Sequence, residues 1–338
     1  MSVLASVSVP ATSANLGPGY DAFGIAVGLR LYVSAVARAA GAPRVTTIGE
    51  GADEVASDDS NLVWQSVVTA CESFGWSIPD VALQVQNPIP LARGLGSSSA
   101  AIVAGLGIAR VLAGADASVS APAAGAARDG SEVEAVGDVA LTQLADQIEG
   151  HPDNVAPAVH GGLVACAPTD AGASVVRLSP PPPTTRPVML VPATRLLTTV
   201  ARSVVPDALD RPDVVVQAAR AGHVLGGLLG AWVVDPALAG DRLHESARGE
   251  VIPDAAALLT ALRSAGHHAW LSGAGPSVAV SVRTLDESAL ADVLSIATRH
   301  EHEAHVLAWD RSGIIACGPV ACGVSGSSSC AVCPKLGV

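Results

Sequence analysis

Lysine is nearly absent from this chain of 338 residues, which contains only Lys335, and acidic side chains outnumber Lys and Arg by 31 to 19. The resulting formal charge of −12 excludes the broad basic surface that nucleic-acid-binding proteins need. A phosphate group bound by this protein would be held mostly by backbone amides, with a local arginine cluster as the other source of positive charge. We therefore expect no nucleic-acid partner.

Long apolar runs and a basic amino terminus are also missing. The longest uncharged apolar stretches, near 100–109 and 224–234, fall short of the roughly 18 residues that a membrane-spanning helix requires. The first basic residue is Arg30, so the amino terminus lacks the positively charged region of a secretory signal. The sequence therefore predicts a cytoplasmic protein without membrane contact, and its 49% hydrophobic content is typical of a folded chain.

The six cysteines fall into two groups. Cys71 and Cys166 lie in apolar runs, where a buried thiol behaves as a small hydrophobic side chain. The others crowd a Gly/Ser-rich tail at 317–338, where Cys330 and Cys333 have the C-x-x-C spacing of a zinc site. Against a zinc site, the preceding cysteine pair is spaced C-x-x-x-x-C and no histidine flanks it. The sequence favours a disordered tail, and zinc is the alternative.

Local patterns predict strands and helices that alternate without the regularity of repeated βαβ units, so an α+β fold is preferred. The proline-rich passage at 179–187 is typical of a domain boundary. The stretch at 115–137 has low complexity and no apolar period, which indicates a mobile surface insertion. Strands are expected at 3–9, 25–37, 81–86, 161–167, 188–192, 269–271, 278–282 and 303–309. Helices are expected at 61–74 behind an N-cap at Ser60, 138–149, 213–233, 254–265 and 286–300, with a loop at 150–154.

The segment GLGSSSA at 94–100 follows a predicted strand and opens an apolar helix. Free amide N–H groups and the positive end of the helix dipole converge at such a point, which makes it a phosphate site. Gly94 and Gly96 let the backbone approach a triphosphate closely, while the serines at 97–99 offer hydroxyls to phosphate oxygens or to Mg²⁺. This design requires no lysine.

Three other structures could account for the segment at 94–100. A Walker A loop requires a lysine that is missing here, and a Rossmann fingerprint requires a third glycine where Ser99 stands. A tight connection into a serine-capped helix would need no ligand at all. The surrounding sequence favours the phosphate site over this last alternative.

Three segments resemble, in order, the three motifs of the GHMP kinase superfamily: PATSANLGPGYDAFGIAVGL at 10–29, PLARGLGSSSAA at 90–101 and LSGAGPSVAV at 271–280. Three further segments are similar to the pattern of its homoserine kinase family, namely EGHPDNVAPA at 149–158, TTVAR at 198–202 and DRLHESAR at 241–248. The resemblance covers nearly the whole chain outside 115–137 and the tail.

The resemblance implies a two-domain GHMP kinase fold. Its amino-terminal ATP-binding domain, like the second domain of ribosomal protein S5, is expected over 1–178, and a ferredoxin-like carboxyl-terminal domain over 187–316, with the active site between them. The implied activity transfers the γ-phosphate of ATP to the hydroxyl of L-homoserine, giving O-phospho-L-homoserine in threonine biosynthesis, with ATP and Mg²⁺ as cofactors. The sequence leaves the assembly state open, with a homodimer as one alternative.

Carried onto this sequence residue by residue, the family pattern implies four sets of site residues. The catalytic set is Asn15, Asn154, Ser98 and Glu149, of which Ser98 and Glu149 would also hold Mg²⁺, leaving coordination positions for water and phosphate oxygens. The substrate set is Asn15, Asp21, His151, Arg202 and Arg248, which offers a carboxylate to an ammonium group and guanidinium groups to a carboxylate. The ATP-binding set is Asn61, Pro90, Leu91, Ala92, Arg93, Gly94, Leu95, Gly96, Ser97, Ser98, Ser99 and Ala100.

The sequence departs from the family pattern at two places. Asp153 and Asn154 occupy the loop in which several GHMP relatives place a catalytic aspartate, and the homoserine kinase pattern assigns no base there. In DRLHESAR, Ala247 stands where an aromatic residue is usual and Glu245 where a glutamine is usual. Two other functions stay open: a GHMP kinase with another acceptor, and a metabolite-binding protein without turnover.

Overall fold

The computed structural model of the protein describes residues 2–115, 132–170 and 172–319. Its strands are β1 Val3–Ala14, β2 Phe23–Ala37, β3 Val45–Gly49, β4 Val81–Asn87, β5 Leu163–Thr169, β6 Gly172–Arg177, β7 Thr185–Pro192, β8 His268–Leu271, β9 Val278–Arg283, β10 His302–Val306 and β11 Ile315–Cys317. Its α-helices are α1 Leu62–Phe74, α2 Ser97–Ala115, α3 Glu132–Glu149, α4 Pro152–His160, α5 Thr198–Ser203, α6 Arg211–Leu228, α7 Glu245–Gly249, α8 Pro253–Ser264 and α9 Glu287–Arg299.

The first sheet is built around the long strand β2. Its carboxyl-terminal half pairs antiparallel with β4, its first residues pair with β5, and β1 runs along its other side. The path β11-β1-β2-β4-β3 is completed by β5 and β6, which branch from the start of β2. A strand of 15 residues is long enough to serve both partners, so the sheet divides at one end. Helices α2 and α4 pack against β1 and β2.

Helix α2 is the central element of the first core. Ala100, Val103 and Leu106 on this helix are at most 1% exposed. By length and composition the window Ser97–Gly114 could cross a membrane, although 56% of it is buried inside the protein. No such segment was expected, because three serines and Arg110 shorten the uncharged apolar run. Within the fold, α2 is a core helix.

The second sheet has the strand order β10-β7-β9-β8 and is covered by α8 and α9. It has an apolar core of its own, in which Val188, Leu190, Leu258, Val280 and Val293 are fully buried. Two sheets, each with its own core, agree with the predicted α+β class.

The chain returns to the first sheet after β10. Leu307 still donates its N–H to Pro187 in the second sheet, whereas the carbonyl of Ala308 accepts from Gly28 in the first. Strand β11 then pairs antiparallel with β1, with Ser6 opposite Cys317 and Ser8 opposite Ile315. The predicted second domain at 187–316 therefore includes a strand that belongs to the first sheet. We propose a division that assigns the chain from Ala308 onward to the first domain.

Several element boundaries differ from those expected. Strand β1 continues to Ala14, beyond the expected end at residue 9. Pro10 has no N–H to donate to the neighbouring strand, and the pairing with β2 shifts register directly after it, so the strand can continue. Asn61, not Ser60, caps α1, since the hydroxyl of Ser60 donates to Asp58. Strands β3, β6 and β11 and helices α4, α5 and α7 were not predicted, and α4 begins at Pro152, inside the stretch 150–154 that was expected to be a loop.

Two predictions concern segments that are only partly described. Of the expected insertion at 115–137, residues 132–137 belong to α3, which therefore begins six residues earlier than expected, and residues 116–131 lie outside the described ranges. The expected disordered tail at 317–338 begins too early, because Cys317 belongs to β11. From residue 320 onward, the tail and its alternative zinc site at Cys330 and Cys333 lie outside the described ranges.

Candidate active site

A cavity of about 470 Å³ lies where the three motif segments meet between the two sheets. Every predicted site residue except Ala100 contributes to its wall. Ala100 is instead fully buried in the core of α2. Residues that no motif assignment had named also line the cavity: Leu31, Thr47, Glu50, Val55, Ala56, Ser60, Leu62, Val63, Val85, Asn87, Ala101, Asp153, Leu196, Leu197, Thr198, Gly273 and Ala274.

The loop that enters α2 is shaped by two glycines in the left-handed region. Gly94 has a φ of 74° and Gly96 a φ of 65°. A Cβ atom on Gly94 would overlap the carbonyl oxygen of Ser272, and one on Gly96 would overlap Oγ1 of Thr12. We expected these glycines to make room for a triphosphate. In the structure they also make room for neighbouring protein atoms, so the shape of the loop is fixed before any ligand binds.

The end of α3 meets the start of α2 at the predicted metal residues. Ser98 Oγ donates to Oε1 of Glu149 over 2.7 Å, and Ser99 Oγ donates to the same oxygen over 3.0 Å. Oε2 of Glu149 has no hydrogen-bond partner among the described residues. One carboxylate with a neighbouring hydroxyl is an all-oxygen donor set, which fits Mg²⁺ when phosphate and water supply the other ligands. The described residues contain no cluster of three or more His, Cys, Asp or Glu that would hold a metal alone.

The start of α4 holds a second polar group beside the phosphate loop. Asn154 accepts a hydrogen bond from Thr12 Oγ1 over 2.8 Å, and its amide nitrogen lies 3.4 Å from Oδ1 of Asp153. The same Asp153 oxygen lies 2.9 Å from Nδ1 of His151. Burial alone would lower the pKa of His151, but the hydrogen bond and charge of Asp153 outweigh it, so the pKa is raised. Asp153 is thus engaged as the ion-pair partner of this imidazole.

Asn15 connects the first motif to the third. It lies at the end of β1 with a φ of 69°, in the left-handed region that asparagine tolerates better than most residues. Its Nδ2 donates to the carbonyl of Gly273 over 2.7 Å, and its Oδ1 accepts from the backbone N–H of Asp21 over 3.0 Å. Because its side chain is only 3% exposed and bonded at both ends, Asn15 has one orientation at the cavity wall.

Asp21 and Arg202 form a bidentate ion pair between the first motif loop and α5. The two nitrogens of Arg202 lie 2.9 and 3.1 Å from the two carboxylate oxygens of Asp21. About a third of each side chain is exposed, so the pair faces the cavity rather than the core. Burial alone would lower the pKa of Arg202, but Asp21 outweighs it and raises the pKa. The two groups predicted to bind opposite ends of an amino acid therefore lie side by side.

Arg248 is held at the back of the cavity by acceptors from three segments. Its Nε donates to Ala201 over 3.1 Å, and its Nη1 donates to Gly273 over 2.9 Å and lies 3.1 Å from Nδ1 of His244. Its Nη2 has no hydrogen-bond partner among the described residues. Arg248 is only 2% exposed, yet it contributes to the cavity wall. The guanidinium is thus fixed, with donors left over for a ligand.

The unusual Glu245 in this segment is explained by a charged partner. Glu245 forms a bidentate ion pair with Arg263 at 2.8 and 2.9 Å, and it also accepts from the backbone N–H groups of Asp241 and Leu271. Burial would raise the pKa of Glu245, but the charge and hydrogen bonds of Arg263 lower it. A charged residue is therefore tolerated at this buried position.

Two predicted ATP-binding side chains are already occupied within the protein. Arg93 donates to the carbonyls of Pro192 and Ala193 at the end of β7, over 2.8 and 3.0 Å. Asn61 accepts from Val63 over 2.9 Å as the cap of α1, and it donates to Ala56 over 2.6 Å. Both residues line the cavity, but Arg93 fastens the phosphate loop to the second sheet and Asn61 begins a helix.

Sequence reasoning missed four contributors to the site. Thr12 orients Asn154, the carbonyl of Gly273 accepts from both Asn15 and Arg248, and His244 supports Arg248. Tyr20 lies beside Arg202 and Arg248. Each lies inside a quoted motif, so motif membership was the available signal. The motifs do not show the partners, however, because Asn154 is 142 residues from Thr12 and Asn15 is 258 residues from Gly273.

Comparison with known proteins identifies the family. Residues 61–162 match the family model described as GHMP kinases N terminal domain. The homoserine kinase of Leifsonia xyli is 37% identical over 277 residues, which cover 81% of this chain and 80% of that protein. The homoserine kinase of Streptomyces coelicolor is 35% identical over 308 residues, covering 91% of this chain and 92% of the relative.

Solved structures agree on the fold. The crystal structure of homoserine kinase from Cytophaga hutchinsonii superposes with a TM-score of 0.75 at 24% identity, covering 94% of this chain and 98% of the other. A mevalonate diphosphate decarboxylase from Enterococcus faecalis superposes with a TM-score of 0.58 at 14% identity, covering 94% and 99%. These comparisons confirm the predicted family and fold class: the chain belongs to the homoserine kinase family of the GHMP kinase superfamily.

Proposed function

We propose that this chain catalyses the ATP-dependent phosphorylation of L-homoserine to O-phospho-L-homoserine, a step of threonine biosynthesis that it would perform in the cytoplasm. One observation carries the proposal: the same cavity contains a phosphate loop and the charged set of Asp21, Arg202 and Arg248. The loop suits a nucleoside triphosphate, and the charged set suits a zwitterionic amino acid. The relatives named homoserine kinase support the same acceptor.

At the nucleotide end, the triphosphate would lie against the backbone amides of 94–99 at the start of α2. The N-terminal amides and the helix dipole supply the positive potential that a lysine supplies in other loops. The base would extend toward the apolar wall formed by Val55, Leu62 and Val85. Arg93 would act by keeping the loop attached to β7 rather than by direct contact with phosphate.

Ser98 and Glu149 are the residues that would hold Mg²⁺. When bound, the ion would neutralise negative charge on the transferring phosphate group. Ser99, which is fully buried and bonded to Glu149, would hold the carboxylate in place.

At the acceptor end, the ammonium group of homoserine would pair with Asp21 and its carboxylate with Arg202 and the free Nη2 of Arg248. The substrate would thereby exchange the existing Asp21–Arg202 contact for two new ion pairs. Asn15 and Asn154 would orient the hydroxyl toward the γ-phosphate for in-line attack. Because the transition state of phosphoryl transfer is loose, positioning and charge neutralisation carry most of the catalysis, and the proposal assigns no base.

A coupled assay of ADP release tests this function with homoserine, mevalonate, galactose and shikimate as acceptors. We expect turnover of homoserine far above that of the others, because only homoserine has both an ammonium and a carboxylate group. ATP binding without turnover of any acceptor would indicate a silent metabolite-binding protein, and preference for another alcohol would overturn the assignment of the acceptor.

Variants of the metal residues provide a second arm of the test. Ser98→Ala and Glu149→Gln should each abolish Mg²⁺-dependent turnover while leaving the fold intact. Glu72→Gln, on the exposed side of α1, is the matched control and should behave like the unaltered enzyme. Full activity of Glu149→Gln would contradict the proposed metal site.

A further inference from the structure

Tyr20 lies in the loop between β1 and β2, behind the charged wall of the cavity. Its ring centroid is 5.3 Å from the guanidinium carbon of Arg248 and 6.0 Å from that of Arg202. The ring of His244 is 5.2 Å away at a tilt of 33°. Tyr20 itself is not part of the cavity wall, whereas both arginines are. One aromatic ring therefore supports the two cations that face the acceptor.

Two guanidinium groups around one ring repel each other unless something offsets their charge. The face of an aromatic ring carries negative potential and attracts a cation within about 6 Å of its centroid. Burial and the neighbouring Asp21 raise the pKa of Tyr20, so the ring is a neutral phenol at pH 7. The electrostatic support from Tyr20 thus comes from its π system.

The other contacts of Arg202 do not fix it by themselves. Its ion pair with Asp21 is about a third exposed, and the substrate would exchange this contact for new ion pairs when it binds. The hydroxyl of Tyr20 lies 3.5 Å from Nη1 of Arg202, at the limit of a hydrogen bond. The aromatic ring is therefore a second, independent constraint on the guanidinium.

The loop that carries Tyr20 is anchored to the elements that surround these arginines. The carbonyl of Gly17 lies 3.0 Å from Nε2 of His244, which precedes α7, and the carbonyl of Pro18 accepts from Gln217 on α6 over 2.8 Å. Arg248 also belongs to α7. The position of the ring relative to the arginines is therefore set by hydrogen bonds of the loop residues that come just before it.

We propose that Tyr20 is a positioning residue, which sets the spacing and orientation of the two guanidinium groups that receive the substrate carboxylate. The inference rests on the proposed function, because it requires an acceptor that carries a carboxylate. Loss of the ring should weaken binding of the acceptor and leave the nucleotide end unaffected, since Tyr20 interacts with Arg202, Arg248 and His244 at the acceptor end.

Steady-state kinetics of Tyr20→Phe and Tyr20→Leu separate the ring from the hydroxyl. For Tyr20→Leu we expect the KM of homoserine to rise about tenfold, with kcat and the KM of ATP within about twofold of the unaltered enzyme. Tyr20→Phe keeps the ring, so its KM for homoserine should be close to that of the unaltered enzyme. Phe74→Leu, which removes a partly exposed ring at the end of α1, is the matched control.

Three results would overturn the proposal: an unchanged homoserine KM in Tyr20→Leu, an equal rise in the KM of ATP, or a Phe variant as impaired as the Leu variant.

Arginine side-chain NMR tests the positioning without turnover. The Nε–Hε signals of Arg202 and Arg248, assigned by substitution, should be displaced by the ring current in the unaltered protein and in Tyr20→Phe but not in Tyr20→Leu. If these signals have the same chemical shifts in Tyr20→Leu as in the unaltered protein, the ring does not have the proposed role. Absence of homoserine turnover in the unaltered enzyme would instead refute the proposed function.

Discussion

The two ends of the cavity are built by different physical means. At the phosphate loop the shape is set by backbone sterics, because Gly94 and Gly96 lie against Ser272 and Thr12 where no Cβ fits. At the acceptor end the shape is set by charged side chains, and Arg248 is held by carbonyl groups from distant segments. The first end contains a rigid main-chain cradle, and the second contains a set of paired charges that can change partners.

This difference indicates how each end tolerates change. A backbone cradle responds to one added methyl group by moving as a whole, because protein interiors are close-packed. A charged pocket responds by losing one interaction at a time, which lowers affinity in steps. Substitutions at the loop should therefore abolish activity, and substitutions at the acceptor end should mainly raise KM.

The largest effect is expected for Gly96→Ala. The new Cβ would overlap Oγ1 of Thr12 and would also impose a left-handed conformation that costs roughly 1–2 kcal/mol for an L-residue. Displacement of the loop by a fraction of an ångström should lower kcat/KM by at least about a hundredfold. Steady-state kinetics with ATP and homoserine measure this loss.

Gly41→Ala separates the strain from the overlap. Gly41 has a φ of 77° but no atom within 4 Å of an added Cβ, so this variant carries the strain alone. It should keep full activity at slightly lower stability. Because Thr12 also orients Asn154, Thr12→Ala is the reference for the double variant. Adding Gly96→Ala to Thr12→Ala should cost less activity than adding it to the unaltered enzyme, and an equal loss would argue against steric overlap as the cause.

The second largest effect is expected for Arg248→Lys. Lysine keeps the charge but cannot replace the three directed contacts of the guanidinium with Ala201, Gly273 and His244. We expect the KM of homoserine to rise about thirtyfold or more, with the KM of ATP nearly unchanged. Arg299→Lys, on the exposed end of α9, is the control and should leave the KM of homoserine unchanged. A KM of homoserine in Arg248→Lys within twofold of that of the unaltered enzyme would contradict the proposed role of Arg248.

A smaller effect is expected for Asp21→Asn, which breaks the ion pair with Arg202 but keeps the shape of the side chain. The substrate would lose its ammonium partner while Arg202 becomes freer to bind the carboxylate, so the two changes oppose each other. We expect the KM of homoserine to rise about tenfold. The exposed Asp207→Asn serves as control, and tighter binding of homoserine would show that the ion pair mainly competes with the substrate.

The smallest effect concerns pH and the His151–Asp153 pair. The folded-state pKa of His151 is raised above its ordinary value of 6.5, so its pairing stabilises the fold fully below that value and is lost as pH rises through the folded-state pKa. The difference in Tm between the unaltered protein and Asp153→Asn should therefore be larger at about pH 6 than at about pH 8. Thermal unfolding at both pH values checks this, and equal differences would contradict it.

Local features of the sequence predicted the local parts of the site. The loop before α2 could be identified because its glycines, its serines and the start of the helix are adjacent in the chain. Ser98 and Glu149 were paired through the family resemblance, and the structure brings them within 2.7 Å although 51 residues separate them. Their roles in metal binding stay a prediction.

Features that depend on distant partners could not be predicted from the sequence. The cap of α1 was misassigned for a local reason, since Asp58, two residues before Ser60, accepts from the hydroxyl of Ser60 and leaves Asn61 as the cap. The constraint on Gly96 comes from Thr12, 84 residues earlier, and motif spacing carries no information about that contact. Strand β6 was missed because none of its residues is buried, so it has no apolar pattern.

Strand β11 has a consequence for how the protein matures on the ribosome. The edge of β1 at Ser6–Ser8, made among the first residues of the chain, receives its partner only when Ile315–Cys317 has been synthesised. Until then, the nascent first sheet would expose an unpaired strand edge, the kind of surface on which chains aggregate and which chaperones shield. Strand β11, the last strand in the described part of the chain, thus covers the edge of β1 only after every strand of the second sheet has been synthesised.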